Sequence, residues 1–137
     1  MDPARFLAAQ EGAIDRAVKE LRNGAKVSHW MWFIFPQLTV LGRSGTAKFY
    51  GIDSLADARD YLRHPILGAR LRVAAEAMLA QPHDALHVLG PVDALKLRSC
   101  ATLFRAADPE GETGRLMQAI IDRFYAGAPC PLTTAAL

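Results

Sequence analysis

The sequence predicts an all-α fold, a single compact domain of about six to eight helices with no significant sheet. Three observations predict it. Apolar residues recur at helical spacing along most of the 137 residues, no segment alternates apolar and polar at period two, and proline, glycine and capping residues divide the chain into helix-sized pieces. Hydrophobic residues make up 51% of the chain and charged ones 22%, enough to bury one core and solvate one surface.

The elements follow in order. Asp2-Pro3 starts a helix, with Asp as the cap and Pro at the first helical position, and Leu7, Gln10, Ile14, Val18 and Leu21 carry the period to Gly24. The stretch Ser28-His29-Trp30-Met31-Trp32-Phe33-Ile34-Phe35 suits a short helix capped by Ser28, stopped by Pro36. Thr39-Val40-Leu41 could pair briefly as extended chain, Gly42-Arg43-Ser44-Gly45 is a loop, and a short helix covers about Thr46 to Tyr50. Ser54 and Asp57 resemble a capping box that opens the next helix. His64-Pro65 ends it and starts an alanine- and leucine-rich helix to Ala80, because proline excludes helical geometry at the residue before it and suits a first turn. Helices are expected over Asp84–Leu89, Pro91–Ala107 and Glu112–Ala126, with a break at Gly90-Pro91. The ordered core is expected over residues 1–127, and residues 128–137 as an irregular, proline-containing tail.

Composition removes several function classes. The net charge of +2 comes from 16 Lys+Arg against 14 Asp+Glu without a run of adjacent cations, so nucleic acid is not an expected partner. The longest apolar run, Trp30 to Pro36, is far too short to span a membrane. Cys100 and Cys130 cannot build a disulfide framework or a cysteine-rich zinc site, and no signal-peptide pattern opens the chain, so a cytoplasmic location is expected. His83 and His87 have metal-ligand spacing but no third ligand at a recognisable spacing; no metal and no cofactor are expected. No nucleophile elbow, phosphate-binding glycine loop or zinc-protease motif occurs.

What remains is the aromatic stretch. It holds both tryptophans and two of the six phenylalanines, with His29 at its entrance and Gln37 at its exit. An apolar platform ringed by donors and cations suits a ligand pocket, and equally a helix-to-loop junction over a core. At about 100° per position, Arg70 falls in the middle of the apolar arc of its helix, and Asp93 and Lys96 fall within that of theirs. Asp93 and Lys96 can pair along one helix face. Arg70 needs a carboxylate, a carbonyl or an anionic ligand, so the three make either an internal ion-pair network or a cationic cleft. His29 shares a face with Trp32, as a packing residue or as a hydrogen-bonding or acid/base group. Arg43 with Ser44 could meet an anion, or Ser44 could simply cap a helix; His64 is a helix-start residue or a pocket residue.

The motif from Ser28 to Gln37 resembles the signature of a family known as domain of unknown function 1810. Leu41-Gly42-Arg43-Ser44, Tyr50-Gly51-Ile52, His64 to Leu71 and Asp93 to Ser99 match as well, so the resemblance covers almost the whole chain. Cys100 and Ala101 stand where the family has Ser and Met before Thr-Leu-Phe. The resemblance implies a compact multihelical domain of mainly bacterial distribution with no established activity, and it places Ser99 with the other flagged residues in shared motifs.

The leading expectation is a small-molecule pocket for an anionic ligand, nucleotide-like or bearing phosphate or carboxylate. Trp30 or Trp32 would stack on a ring, Arg43, Arg70 and Lys96 would meet the charge, and His29 and Gln37 would hydrogen-bond. Catalysis is left open, with His29, Asp93 or Glu76 as acid/base candidates. Phe33 and Phe35 are expected in the core, with His29 and one tryptophan at a cleft. The alternative is a non-enzymatic interaction module that presents an exposed aromatic patch to a protein partner.

Overall fold

A computed structural model describes residues 1–137. The chain is all-α: α1 (Ala4–Glu11), α2 (Ile14–Arg22), α3 (Met31–Ile34), α4 (Gly45–Phe49), α5 (Leu55–Arg63), α6 (Pro65–Ala80), α7 (Ala85–Ala107), α8 (Glu112–Tyr125) and α9 (Pro131–Ala136). The nearest thing to a sheet is one isolated bridge between Leu38 and Ile52, beside a 3-10 turn at Thr39–Leu41. No helix is long and apolar enough to cross a membrane.

Local chemistry sets most boundaries. The Asp2 carboxylate accepts from Ala4 N–H at 2.9 Å, capping α1. The long first helix of the sequence reading divides, because Gly12 and Ala13 interrupt it, Ala13 lying at φ −127° and ψ −22°. Ser54 Oγ accepts from Asp57 N–H at 3.1 Å to open α5. Gly90 takes φ +82° and ψ 170°, so α7 is two helical pieces joined at a kink next to Pro91.

Two local expectations are corrected. Ser28 does not cap the aromatic helix: its hydroxyl donates to Glu20 at 2.6 Å, and α3 begins three residues later as a single turn. The proline-containing end is not irregular. Pro131 sits at the first position of α9, Cys130 N–H donates to Thr102 Oγ1 at 2.9 Å and Arg98 Nε donates to Ala128 O at 2.9 Å. The polar face of α7 that carries Arg98 and Thr102 is therefore the anchorage for the tail.

The core forms where α5, α6, α7 and α8 meet, with α2 against α6, α9 against α7 and α1 against α3. Phe6, Tyr61 and Phe104 pack through it, edge-to-face and tilted, with ring centres 5.2 and 5.3 Å apart. Phe35 is buried as expected, whereas Phe33 is half-buried against Tyr50 at 5.2 Å between ring centres. Buried Gln10 ties three elements together: its amide donates to Phe33 O at 2.8 Å and to the Tyr61 hydroxyl at 3.0 Å. A buried amide with both hydrogens used replaces the water it has lost.

Candidate functional site

The segment between α2 and α3 runs without regular structure from Gly24, whose φ of +74° turns the chain, to Trp30. One carboxylate shapes it. Glu20 accepts from Val27 N–H at 2.7 Å, Ser28 N–H at 2.9 Å, Ser28 Oγ at 2.6 Å and Trp30 Nε1 at 3.0 Å. Burial alone would raise its pKa; these four donors outweigh that and bring it from 4.5 down to about 2. Lys26 N–H also donates to Val88 O at 2.8 Å, which fixes the segment against the first piece of α7.

Held in this way, the segment faces α7 across a cleft of about 80 Å³ lined by Lys26, His29, Trp30, Met31, Trp32, Asp93 and Lys96. Lys26 Nζ lies 2.9 Å from Asp93 Oδ2 and Lys96 Nζ lies 3.2 Å from Asp93 Oδ1. The side chains are 10%, 17% and 18% exposed for Lys26, Lys96 and Asp93, so the triad lies at the edge of the core with its polar ends reaching water. Lys96 Nζ also lies 3.6 Å from the centre of the Trp32 ring, and Lys26 Nζ 5.2 Å from that of Trp30. Two ammonium groups share one carboxylate, and the triad keeps one net positive charge. The result is a small notch of net positive charge, walled by an indole and flanked by an exposed imidazole.

The structure therefore brings His29, Trp30, Trp32, Asp93 and Lys96 together and disperses the other flagged residues. Trp30 is 1% exposed and bonded to Glu20, so it is a core residue whose edge reaches the cleft and offers no free face for stacking. Trp32 is the half-buried tryptophan. An interaction module would present Trp30 or Trp32 on a flat exposed surface; Trp30 is buried, and Trp32 is half-buried in the wall of the cleft.

Arg70 does not converge on Lys96. Its guanidinium contacts Gln10 Oε1 at 3.5 Å and Glu11 at 3.6 Å on α1, and it lines a separate groove between α2 and α6. Its place on the apolar arc follows from its being 24% exposed beside the buried Gln10. His64 caps α6, its Nδ1 accepting from Ile66 and Leu67 N–H at 3.2 and 3.3 Å. Ser44 caps α4 by accepting from Ala47 N–H at 3.1 Å, with Arg43 exposed beside it. Gln37 is half-buried, and its carbonyl accepts from Ile52 N–H at 2.9 Å. Ser99 is buried under the tail, its hydroxyl 3.2 Å from Leu95 O and 3.4 Å from Cys130 Sγ. Burial would raise the Cys130 pKa, but the Ser99 hydroxyl and the backbone N–H groups of Leu132 and Thr133 hold it below the usual thiol value. Glu76 is exposed on α6 and is not part of the cleft lining. His83 and His87 stack at 4.1 Å between ring centres, and no group of three metal-ligating side chains surrounds them.

Sequence reasoning missed Lys26 and Glu20. Lys26 lies in a loop, where helical periodicity assigns no direction to a side chain. Glu20 sits on an ordinary amphipathic helix, and nothing in its neighbours signals that four donors from residues 27–30 will fold onto it.

Comparison with known proteins bears on the family and the fold. The family model described as "Protein of unknown function (DUF1810)" matches residues 1–137. The crystal structure of the conserved hypothetical protein Rv1873 from Mycobacterium tuberculosis is similar at 40% identity and a TM-score of 0.92, covering 99% of this chain and 98% of that one. No curated protein matches the sequence.

Proposed function

The chain belongs to the family described as protein of unknown function DUF1810, and from that premise we propose that it binds a small anionic ligand, through a phosphate or carboxylate group, at the cleft between residues 26–32 and α7. The observation that carries the reading is the sharing of Asp93 by two ammonium groups, at 2.9 and 3.2 Å, beside the exposed His29. An entering oxyanion would gain both lysines as donors, with His29 as a third.

The cleft of about 80 Å³ narrows the ligand. It accommodates a single oxyanion, so a ring attached to that anion would lie outside, along the part of Trp32 not covered by Lys96. A nucleotide would thus be held by a phosphate and not by an enclosed base. We place the protein in a reducing compartment, where Cys100 and Cys130 would stay free thiols.

Tryptophan fluorescence and melting temperature, followed during titration with inorganic phosphate, adenosine monophosphate and acetate, test the reading. A ligand that binds the native state raises its stability. Phosphate or the nucleotide should raise the melting temperature of the parent protein and should fail to do so in Lys96→Met. If none of the three anions has an effect, or if Lys96→Met responds as the parent does, the cleft is not an anion site.

A further inference from the structure

A second concavity, distinct from the Trp32 cleft, runs between α2 and α6 as an open groove of about 650 Å³. That is within the range of about 300–1,000 Å³ found for pockets that hold drug-sized molecules. Its apolar surface comes from Ile14 and Val18 on α2 and from Ala69 and Val73 on α6. Val73 is 42% exposed although it belongs to the nearly continuous apolar circumference of α6. The core accounts for Leu67, Leu71, Ala74, Ala75 and Met78 on that helix, and the groove accounts for the valine left over.

The rim is cationic. Lys19 and Arg22 on α2 and Arg70 on α6 line the groove together with a single acid, Asp15. No carboxylate lies within ion-pair distance of Lys19 or Arg22. Arg70 has only the long contacts to Gln10 at 3.5 Å and to the 81% exposed Glu11 at 3.6 Å, which leave guanidinium donors unused. Three cations stand against Asp15 in the groove and the exposed Glu11 beside it, above an apolar floor on two helices, which suits a ligand with an apolar body and an anionic end.

We propose that the α2–α6 groove is a binding site for a small amphipathic carboxylate, its hydrocarbon lying along Ile14, Val18, Ala69 and Val73 and its head at the Lys19, Arg22 and Arg70 cations. Arg70, which stands apart from the Trp32 cleft and pairs only with the exposed Glu11, thereby acquires a second anionic partner. The proposal is independent of the anion reading of that cleft.

The test is the melting temperature of the full chain with octanoate, octan-1-ol or acetate as probe. Octanoate should raise it by more than acetate, which lacks the hydrocarbon to cover the groove floor and can act only at the Trp32 cleft, and octan-1-ol should raise it less than octanoate does, since the alcohol offers the chain without the charge. The octanoate shift should disappear in Arg22→Ala and in Val73→Asp, and it should persist in Lys96→Met, which alters only the other cleft. Octanoate that leaves the melting temperature unchanged or lowers it overturns the proposal. So does an equal response to octan-1-ol, a shift that survives in either groove variant, or a shift that is lost in Lys96→Met. Should Val73→Asp fail to fold, Arg22→Ala, a change at an exposed position, decides the matter alone.

Discussion

The ammonium of Lys96 stands 3.6 Å from the centre of the Trp32 ring while it pairs with Asp93 at 3.2 Å, so one side chain joins α7 to the single turn of α3. A cation held over an indole contributes about 0.5–2 kcal/mol, depending on how dry the site is. The same contact covers the ring face nearest the cations, so Trp32 acts first as the wall that positions Lys96.

Removing the two partners of this pair should have unequal effects. In Lys96→Met the apolar contact with Trp32 is kept and Asp93 still pairs with Lys26, so the loss should be about 1 kcal/mol. Asp93→Ala leaves two ammonium groups facing each other at the edge of the core and should lower stability by about 2 kcal/mol. Urea unfolding of both variants checks the order.

Glu20 should make the segment that carries His29 and Trp30 sensitive to acid. Its folded-state pKa is lowered from 4.5 to about 2, so its contribution is complete above about 4.5 and is lost as pH falls toward about 2. Glu20→Gln should be less stable than the parent at neutral pH, by about 1–3 kcal/mol for the weakened bonds to its four donors. The difference between the two should shrink across that acid window. Tryptophan emission during denaturant unfolding, repeated at several pH values, measures it; a constant difference would count against the role given to the carboxylate.

Gln10 predicts a purely structural effect. Gln10→Leu keeps the volume roughly but leaves Phe33 O and the Tyr61 hydroxyl, both bonded to the amide in the native chain, without their donor. Stability should fall by about 1–3 kcal/mol, measurable by thermal unfolding, while the response of the Trp32 cleft to phosphate stays as in the parent.

Two glycines should respond in opposite directions to alanine. A Cβ on Gly114 would lie 1.6 Å from the Asp108 carbonyl oxygen, so the start of α8 would have to move away from the preceding turn. Gly114→Ala should lower stability by about 3 kcal/mol or more. At Gly45, in the first turn of α4, nothing lies within 4 Å of the added carbon, and Gly45→Ala should be neutral or stabilising by about 0.5 kcal/mol. Melting temperatures of the two variants, compared with the parent, suffice.

Neighbouring letters carry the all-α class, the caps at Asp2 and Ser54, the break at Gly90-Pro91 and the reach of Lys96 to Asp93, while at Ser44 and His64 they left a cap and a ligand role both open until the structure showed the caps. All of these act within a few residues of chain, through period, capping geometry or the spacing of one helical turn. The sequence also located the aromatic segment that forms one side of the cleft.

Packing between distant segments decides which tryptophan is core and which is wall, that Arg70 faces α1 and α2 and not Lys96, and that Lys26 completes the charged triad. It likewise decides that Thr102 and Arg98 hold the last residues in place. Each of these depends on which helix lies against which face. A helical wheel fixes the direction of a side chain relative to its own axis, but a loop residue has no such direction, and the partner across the gap is set by packing between segments far apart in the chain.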